Sequence, residues 1–245
     1  MRSLHGSIDG AEGMGTSSQV GASYRRSERR WLFLAMAIGL PLFLMLVLCL
    51  PGVGPVFRVF TIPSGAMMPT LPLGSYVVVS RASYGYSRYS FELFQLPLAG
   101  RWPALMPRRG DVVVFLLPRD RKTHYVKRVV GLPGDRIQMV KGRLSINEQL
   151  VPIEAAGRMT DPTDRTKEDA TYIETLPDGT AYRIIQRDGA SGPYDNTPVY
   201  TVPAGHLFVL GDNRSNSTDS RENSPRYGVG FVPVELVIGR VVSVF

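Results

Sequence analysis

From Trp31 to Leu50 the chain reads WLFLAMAIGLPLFLMLVLCL, with no charged residue. A stretch of about 20 apolar residues is long enough, as a helix, to cross roughly 30 Å of hydrocarbon. A core helix of a globular domain would keep a polar face, and this run has none. Pro41 in its middle is tolerated in a membrane helix and kinks it. A cleaved leader differs in two ways: its apolar region is about 7–15 residues long, and it ends in a small-x-small site. The nearest such triplet, Gly52-Val53-Gly54, is followed by Pro55, which hinders extended binding in a protease cleft. Residues 31–53 therefore read as a permanent anchor.

Arg25, Arg26, Arg29 and Arg30 crowd the N-terminal flank of the run, whereas the far side has Arg58 and then Arg81. The positive-inside bias places the N-terminus in the cytoplasm and everything after about Pro51 across the plasma membrane. Residues 1–30, rich in Gly and Ser at their start, read as a disordered cytoplasmic tail. The formal net charge is +7. Beyond the anchor the basic residues are scattered along the sequence, without the clustering expected of a nucleic-acid binder. Attraction to anionic lipid head groups is the simpler reading, so the expected partner is a bilayer and not a nucleic acid. The 1 Cys, Cys49, lies in the anchor and excludes an internal disulfide or a zinc site built on Cys pairs. His5, His124 and His206 have no ligand-like spacing. Neither a metal nor an organic cofactor is expected. Nothing in the sequence specifies an oligomeric state.

After the anchor, β signals dominate. Val56–Ile62, Tyr76–Ser80, Asp111–Leu116, Tyr125–Val130, His206–Leu210 and Val237–Phe245 are β-branched or aromatic runs bounded by Gly, Pro, Asp or Asn. No long apolar stripe of helical period follows, so the class is mostly β, a small set of packed or closed sheets. Residues 54–140 and 203–245 form the expected core. Residues 141–202 read as an inserted β subdomain, with a hairpin turning at Gly142, a polar stretch over Glu154–Glu168 carrying Asp161 and Asp164, and a second hairpin around Pro177-Asp178-Gly179.

Three segments offer chemistry. Ile62-Pro63-Ser64-Gly65-Ala66-Met67-Met68-Pro69-Thr70-Leu71 is a punctuated turn between strands. Tyr125-Val126-Lys127-Arg128-Val129-Val130 puts one cation on each face of a valine-rich strand. Strand lysines usually point to solvent, but burial lowers a Lys pKa and makes a neutral base. Gly211 to Arg221 runs eleven residues without an apolar side chain, a hydrogen-bonding loop whose two Arg and lack of Glu speak against calcium.

Together, and with Arg109-Gly110-Asp111-Val112-Val113-Val114-Phe115, these segments resemble the sequence boxes of bacterial type I signal peptidases, membrane-bound serine endopeptidases that remove signal peptides from exported proteins. The resemblance runs from about Phe57 to Phe245. It implies a signal-peptidase-like catalytic β domain behind one transmembrane helix. Lys127 would be the general base of a Ser–Lys pair, Ser217 the hydroxyl that orients it, and Ser64 an oxyanion-hole donor beside the backbone N–H of residue 66. Asp212 with Arg128, and Asp219 with Arg221, would be the supporting ion pairs. The substrates implied are precursors with small side chains before the cleavage point, bound as an added strand.

The chain departs from that pattern at the nucleophile, where the family reads Ser-x-Ser-Met-x-Pro and this sequence has Ala66. Alanine has no oxygen to attack a carbonyl, and loss of the nucleophile in a comparable serine protease costs roughly 10⁶ in kcat. Ala66 is either an engineered inactivation or the mark of a natural pseudoenzyme that binds signal peptides without cutting. A takeover by Ser64 is disfavoured, because residues two apart on a strand stand more than about 6 Å apart. A self-cleaving repressor of the same chemistry is disfavoured by the anchor. The aromatics of Tyr84–Trp102 either pack the core or seat the domain on the bilayer.

Overall fold

The computed structural model describes residues 33, 35–43, 45–46, 56–91, 97–160, 168–187 and 192–245. The chain divides into two compact units, residues 1–50 and 51–245. In the first, the described residues from Phe33 onward are α-helical, with Phe33, Met36 and Ile38 exposed. Among the described residues no helix is long and apolar enough to cross a membrane. The tail over 1–30, Cys49 and the remaining positions of the expected anchor lie outside the described residues.

The second unit is built from strands. In chain order they are β1 (Phe57–Thr61), β2 (Tyr76–Ser80), β3 (Tyr86–Ser87), β4 (Arg101–Trp102), β5 (Val112–Leu116), β6 (His124–Gly131), β7 (Arg136–Val140) and β8 (Arg143–Ile146). There follow β9 (Gln149–Leu150), β10 (Ile153–Thr160), β11 (Glu168–Thr175), β12 (Ala181–Gln186), β13 (Tyr200–Thr201), β14 (His206–Leu210), β15 (Val232–Pro233) and β16 (Val237–Val244). Three short 3₁₀ turns are the only helical pieces among its described residues.

Seven strands form the main sheet in the order β1-β2-β16-β5-β6-β14-β15. All six pairings are antiparallel. The alternation of the sequence sets the faces: Val77 and Val79 of β2 are fully buried while Tyr76 is exposed. β16 joins the β1–β2 hairpin to the β5–β6 hairpin, with register shifts on both sides. Gly239 sits at this crowded junction. A Cβ there would lie 2.3 Å from Ser80 O and 2.9 Å from a Val79 methyl, so only glycine lets the strands close.

Two further sheets, β13-β7-β8-β9 and β10-β11-β12, follow from the middle of the chain. The first hairpin turns at Lys141 and Gly142, both with positive φ, the geometry of the tight turns that match strand twist. Strand β7, the arm of this hairpin that precedes Gly142, pairs with β8, so the four-stranded sheet begins at Arg136. The first part of the polar stretch Glu154–Glu168 is strand β10, with a bulge between Ala155 and Arg158. Its composition is polar because its side chains are mostly exposed; pairing with β11 makes it a strand. Asp161 and Asp164 lie outside the described residues. Val130, Phe208 and Leu210 of the main sheet share one apolar cluster with Ile137, Leu144 and Ile184 of the two smaller sheets.

Of the aromatics in Tyr84–Trp102, Tyr84 is buried in the core and donates to Asp111 Oδ2 at 2.6 Å. Trp102 is 73% exposed, and Phe94 lies outside the described residues.

Gly239→Ala is expected to lower the unfolding free energy by about 1–3 kcal/mol, the usual cost of overpacking. Ser243→Ala, on the exposed end of the same strand, should stay within about 0.5 kcal/mol of the parent. Urea denaturation of the two variants checks this, and equal midpoints would contradict the packing argument.

Candidate active site

The turn between β1 and β2 starts at Ser64, which is exposed and has extended dihedrals, φ −137° and ψ 153°. Its side chain makes no capping bond to the short 3₁₀ turn Gly65–Met67. Met67 and Leu71 pin the turn by packing with Ile62, Val77 and Val79. Ala66, half-buried, is thereby presented beside the third segment. Asn213 N donates to Ala66 O at 3.1 Å, and Asn213 Nδ2 to Gly65 O at 3.2 Å. At Gly211 the two segments nearly touch. A Cβ there would lie 2.1 Å from Ser217 Oγ and 2.6 Å from Ala66 O. Only glycine allows the Ser217 hydroxyl and the Ala66 carbonyl to approach the same point.

Strand β6 carries Lys127 and Arg128 on opposite faces. Lys127 lies opposite Val113, shares a face with Tyr125 and Val129, and is 4% exposed. Its Nζ is 5.4 Å from the centre of the Tyr125 ring and donates no hydrogen bond to a described residue. Burial is the largest influence on its pKa and lowers it; Asp219 and then Asp212 pull it back up, and Arg221 lowers it again, with a net downward shift. The bond expected between Ser217 and Lys127 is not formed in this structure: Ser217 Oγ is buried and has no hydrogen-bond partner among the described residues. The serine packs against Gly211 instead.

Arg128, on the other face, is held from three sides. Its Nε and NH2 atoms donate to the two oxygens of Asp212 at 2.8 and 2.6 Å, and its NH1 to Gly110 O at 2.8 Å. Thr70 Oγ1, from the turn that carries Ala66, completes Asp212 with a bond of 2.5 Å. Asp219 is bound by Arg221 through Nε at 2.8 Å and NH2 at 2.9 Å, and accepts from Gly211 N at 3.0 Å. Burial alone would raise the Asp219 pKa, but the Arg221 guanidinium and these hydrogen bonds hold it below the usual carboxylate value.

A third ion pair has no counterpart in the sequence reading. Arg214 is buried and grips Glu174 of β11 with both terminal nitrogens, NH1 to Oε1 at 2.9 Å. Tyr182 of β12 donates to the same carboxylate at 2.5 Å, and the Arg128 guanidinium lies 4.0 Å over the Tyr182 ring. Glu174, Tyr182, Arg214, Arg128, Asp212 and Thr70 are thus one continuous buried network joining the smaller sheets to the turn. The sequence signal was Arg214 itself: an arginine buried in a loop needs a carboxylate. Register alone identifies which one, because β11 and β12 set Glu174 directly opposite Tyr182. Among the described residues no group of three or more His, Cys, Asp or Glu side chains could hold a metal ion.

A buried amine of lowered pKa, close to the charges that fix a tight turn, is equipment for proton transfer in acyl-group chemistry. The chain belongs to the signal peptidase family, peptidase S26, whose family model matches residues 34–245. By family it is a serine endopeptidase, a hydrolase. A signal peptidase I of Rickettsia typhi (strain Wilmington) is 40% identical over 195 residues, covering 74% of this chain and 69% of that protein. A signal peptidase I of Rickettsia akari (strain Hartford) is 34% identical over 241 residues, covering 93% and 82%. A crystal structure of a signal peptidase I from Enterococcus faecalis V583 is 26% identical, with a TM-score of 0.32, over 56% of this chain and 97% of that one.

Two predictions follow from the charges. Because the Lys127 pKa is lower folded than unfolded, the unfolded chain binds more protons over the window below the ordinary value of 10.5. Stability therefore rises with pH through that window. Unfolding free energies from pH 7 to 10 should climb more steeply in the parent than in Lys127→Met; equal slopes would contradict the buried, proton-shedding amine. Glu174→Ala leaves Arg214 buried without its carboxylate and should cost about 3–5 kcal/mol. A loss under about 1 kcal/mol in the same denaturation assay would mean the network is slack.

Proposed function

We propose that this chain is a single-span signal peptidase of the Ser–Lys type in which Ala66 stands at the nucleophile position, so that it captures signal peptides without cutting them. The observation that supports this most is the meeting of three distant segments at Asp212, which pairs with Arg128 of β6 and accepts from Thr70 of the turn that carries Ala66. The Ala66 carbonyl also lies against Gly211, and the buried Lys127 is within the field of Asp219 and Asp212. In the active counterpart of this site, a serine hydroxyl at position 66 attacks the scissile carbonyl. Lys127, neutral because buried, takes the hydroxyl proton and returns it to the leaving amine. The Ser64 hydroxyl and the N–H of residue 66 hold the oxyanion. The role the resemblance gives Ser217, orienting the lysine, requires it to turn from Gly211 toward Lys127; the Asp212–Arg128 pair ties the loop to β6, and the Asp219–Arg221 pair braces the loop internally. The substrate is the signal peptide of an exported precursor, laid down as an extended strand with small side chains before the scissile bond.

The domain is placed on the outer side of the plasma membrane, with the N-terminus cytoplasmic. The Arg25–Arg30 cluster before the apolar run supports this orientation. An exposed apolar surface on the β1–β2–β16 end supports contact with the bilayer: Phe57, Val59, Tyr76, Val244 and Phe245 are all exposed, and Tyr76 and Phe245 stack at 5.8 Å. A natural pseudoenzyme and an engineered inactive form share this geometry, because both keep every group except the attacking oxygen.

Ala66→Ser is expected to convert the chain into an active peptidase against a purified precursor in detergent. The rate should rise with pH as Lys127 loses its proton. Lys127→Ala in the Ala66→Ser background should lower that rate by at least about 10²–10⁴. If the chain as written already cuts at the restored rate, residue 66 is not the nucleophile position. If Ala66→Ser binds the precursor but stays inert, the site carries a further lesion.

A further inference from the structure

Cations that lie far apart in the sequence gather at one place outside the site. Arg58 of β1, Arg88, Arg121 and Lys122 line a single concavity of about 340 Å³, together with His124 and Tyr89. No carboxylate is among its described lining residues. Asp120, adjacent in sequence, is already engaged, accepting from Lys122 N at 2.9 Å, Thr123 N at 3.0 Å and Thr123 Oγ1 at 2.6 Å. Two of the cations touch aromatic side chains. The Arg58 guanidinium lies 4.4 Å over Phe60, the Phe60 ring meets His124 at 5.1 Å, and Arg121 NH1 donates to the Tyr89 hydroxyl at 3.0 Å. Stacking of this kind steadies a guanidinium. Arg88, Arg121 and Lys122 are exposed.

β1 is the edge strand of the main sheet, and its alternation separates two surfaces. Phe57 and Val59 point outward on one face, 50% and 37% exposed, while on the other face Arg58 lines the basic concavity and Phe60 packs against the core. An edge with apolar side chains on one face and a cationic hollow on the other is matched to the boundary between acyl chains and head groups. Arg58 follows Leu50, the end of the apolar run, by eight residues, a reach of at most about 28 Å. We propose that this concavity binds the phosphodiester head group of an anionic phospholipid. The choice of a lipid over a free phosphate rests on the membrane-bound reading above; the choice of an anion rests on the cations alone.

The test uses the full chain in dodecyl maltoside micelles, titrated calorimetrically with dihexanoyl phosphatidylglycerol, dihexanoyl phosphatidylcholine and inorganic phosphate. Saturable binding of phosphatidylglycerol is expected, at least about tenfold tighter than either alternative. Each surface cation is worth about fivefold in attraction to anionic lipid, so the double variant Arg88→Glu, Arg121→Glu should weaken phosphatidylglycerol by more than about tenfold. Arg183→Glu, an exposed charge on β12, should leave it unchanged, with near-ultraviolet circular dichroism confirming the fold of both. Phosphatidylcholine binding as tightly as phosphatidylglycerol, or an unchanged double variant, overturns the site. Inorganic phosphate binding as tightly overturns the lipid assignment. The membrane reading is checked separately by protease added to intact spheroplasts. Phosphatidylglycerol binding at this site in a chain protected from that protease upholds the head-group site and overturns only the topology.

Discussion

The ion pair between Arg128 and Asp212 is the interaction on which the rest of the site depends. It is buried on both sides, so removing either partner strands a charge in the interior, at a cost of about 3–5 kcal/mol. Its geometry is complete. Arg128 also donates to Gly110 O and Thr70 Oγ1, and Asp212 takes Thr70 from the turn below Ala66. Lys127 is the neighbour of Arg128 on the same strand and faces the other way. Fixing the arginine to the loop therefore fixes where the lysine emerges, without any bond to the lysine itself. This is how a strand holds an amine in place while leaving its nitrogen unengaged.

The two faces of β6 thus have opposite electrostatic logic. On the Arg128 face every charge is matched, through Asp212, Tyr182, Glu174 and Arg214, and burial is offset by bidentate pairing. On the Lys127 face the amine is buried beside Val113 and Val129 with carboxylates near but already bound to arginines. Their negative charge is largely cancelled by their partners, so burial prevails and the amine sheds its proton more easily.

Much of the fold was legible from alternation. Tyr76–Ser80 and His206–Leu210 are strands at the bounds their β-branched composition suggests, and Arg143–Ile146 pairs across Gly142 as expected. Strand β10 was not legible, because an exposed strand in a small sheet has no apolar alternation to show. The pairing of Tyr200 and Thr201 with the far side of β7 was hidden for a different reason: pairing between distant segments is a tertiary fact. The same holds for Glu174, which looked like one polar residue in a strand and is instead the buried counter-charge of Arg214. The basic residues read as scattered along the chain, yet sheet order brings Arg58, Arg88, Arg121 and Lys122 around one hollow. Ser217 was read as a partner of Lys127, whereas the close approach at Gly211 gives it a packing neighbour first.

The position of β16 in the main sheet bears on when such a site exists during synthesis. β1 with β2, and β5 with β6, are local hairpins that form soon after they emerge. No strand pairing links the two hairpins to each other until β16, far downstream in the chain, slides between β2 and β5. Non-local pairing of this kind is the slow step of β folding. Ala66 sits on the turn of the first hairpin and Lys127 on the second, so the two segments remain apart in a growing chain. The buried surroundings that lower the Lys127 pKa are therefore assembled only when the downstream strands and the polar loop bearing Asp212 and Asp219 arrive.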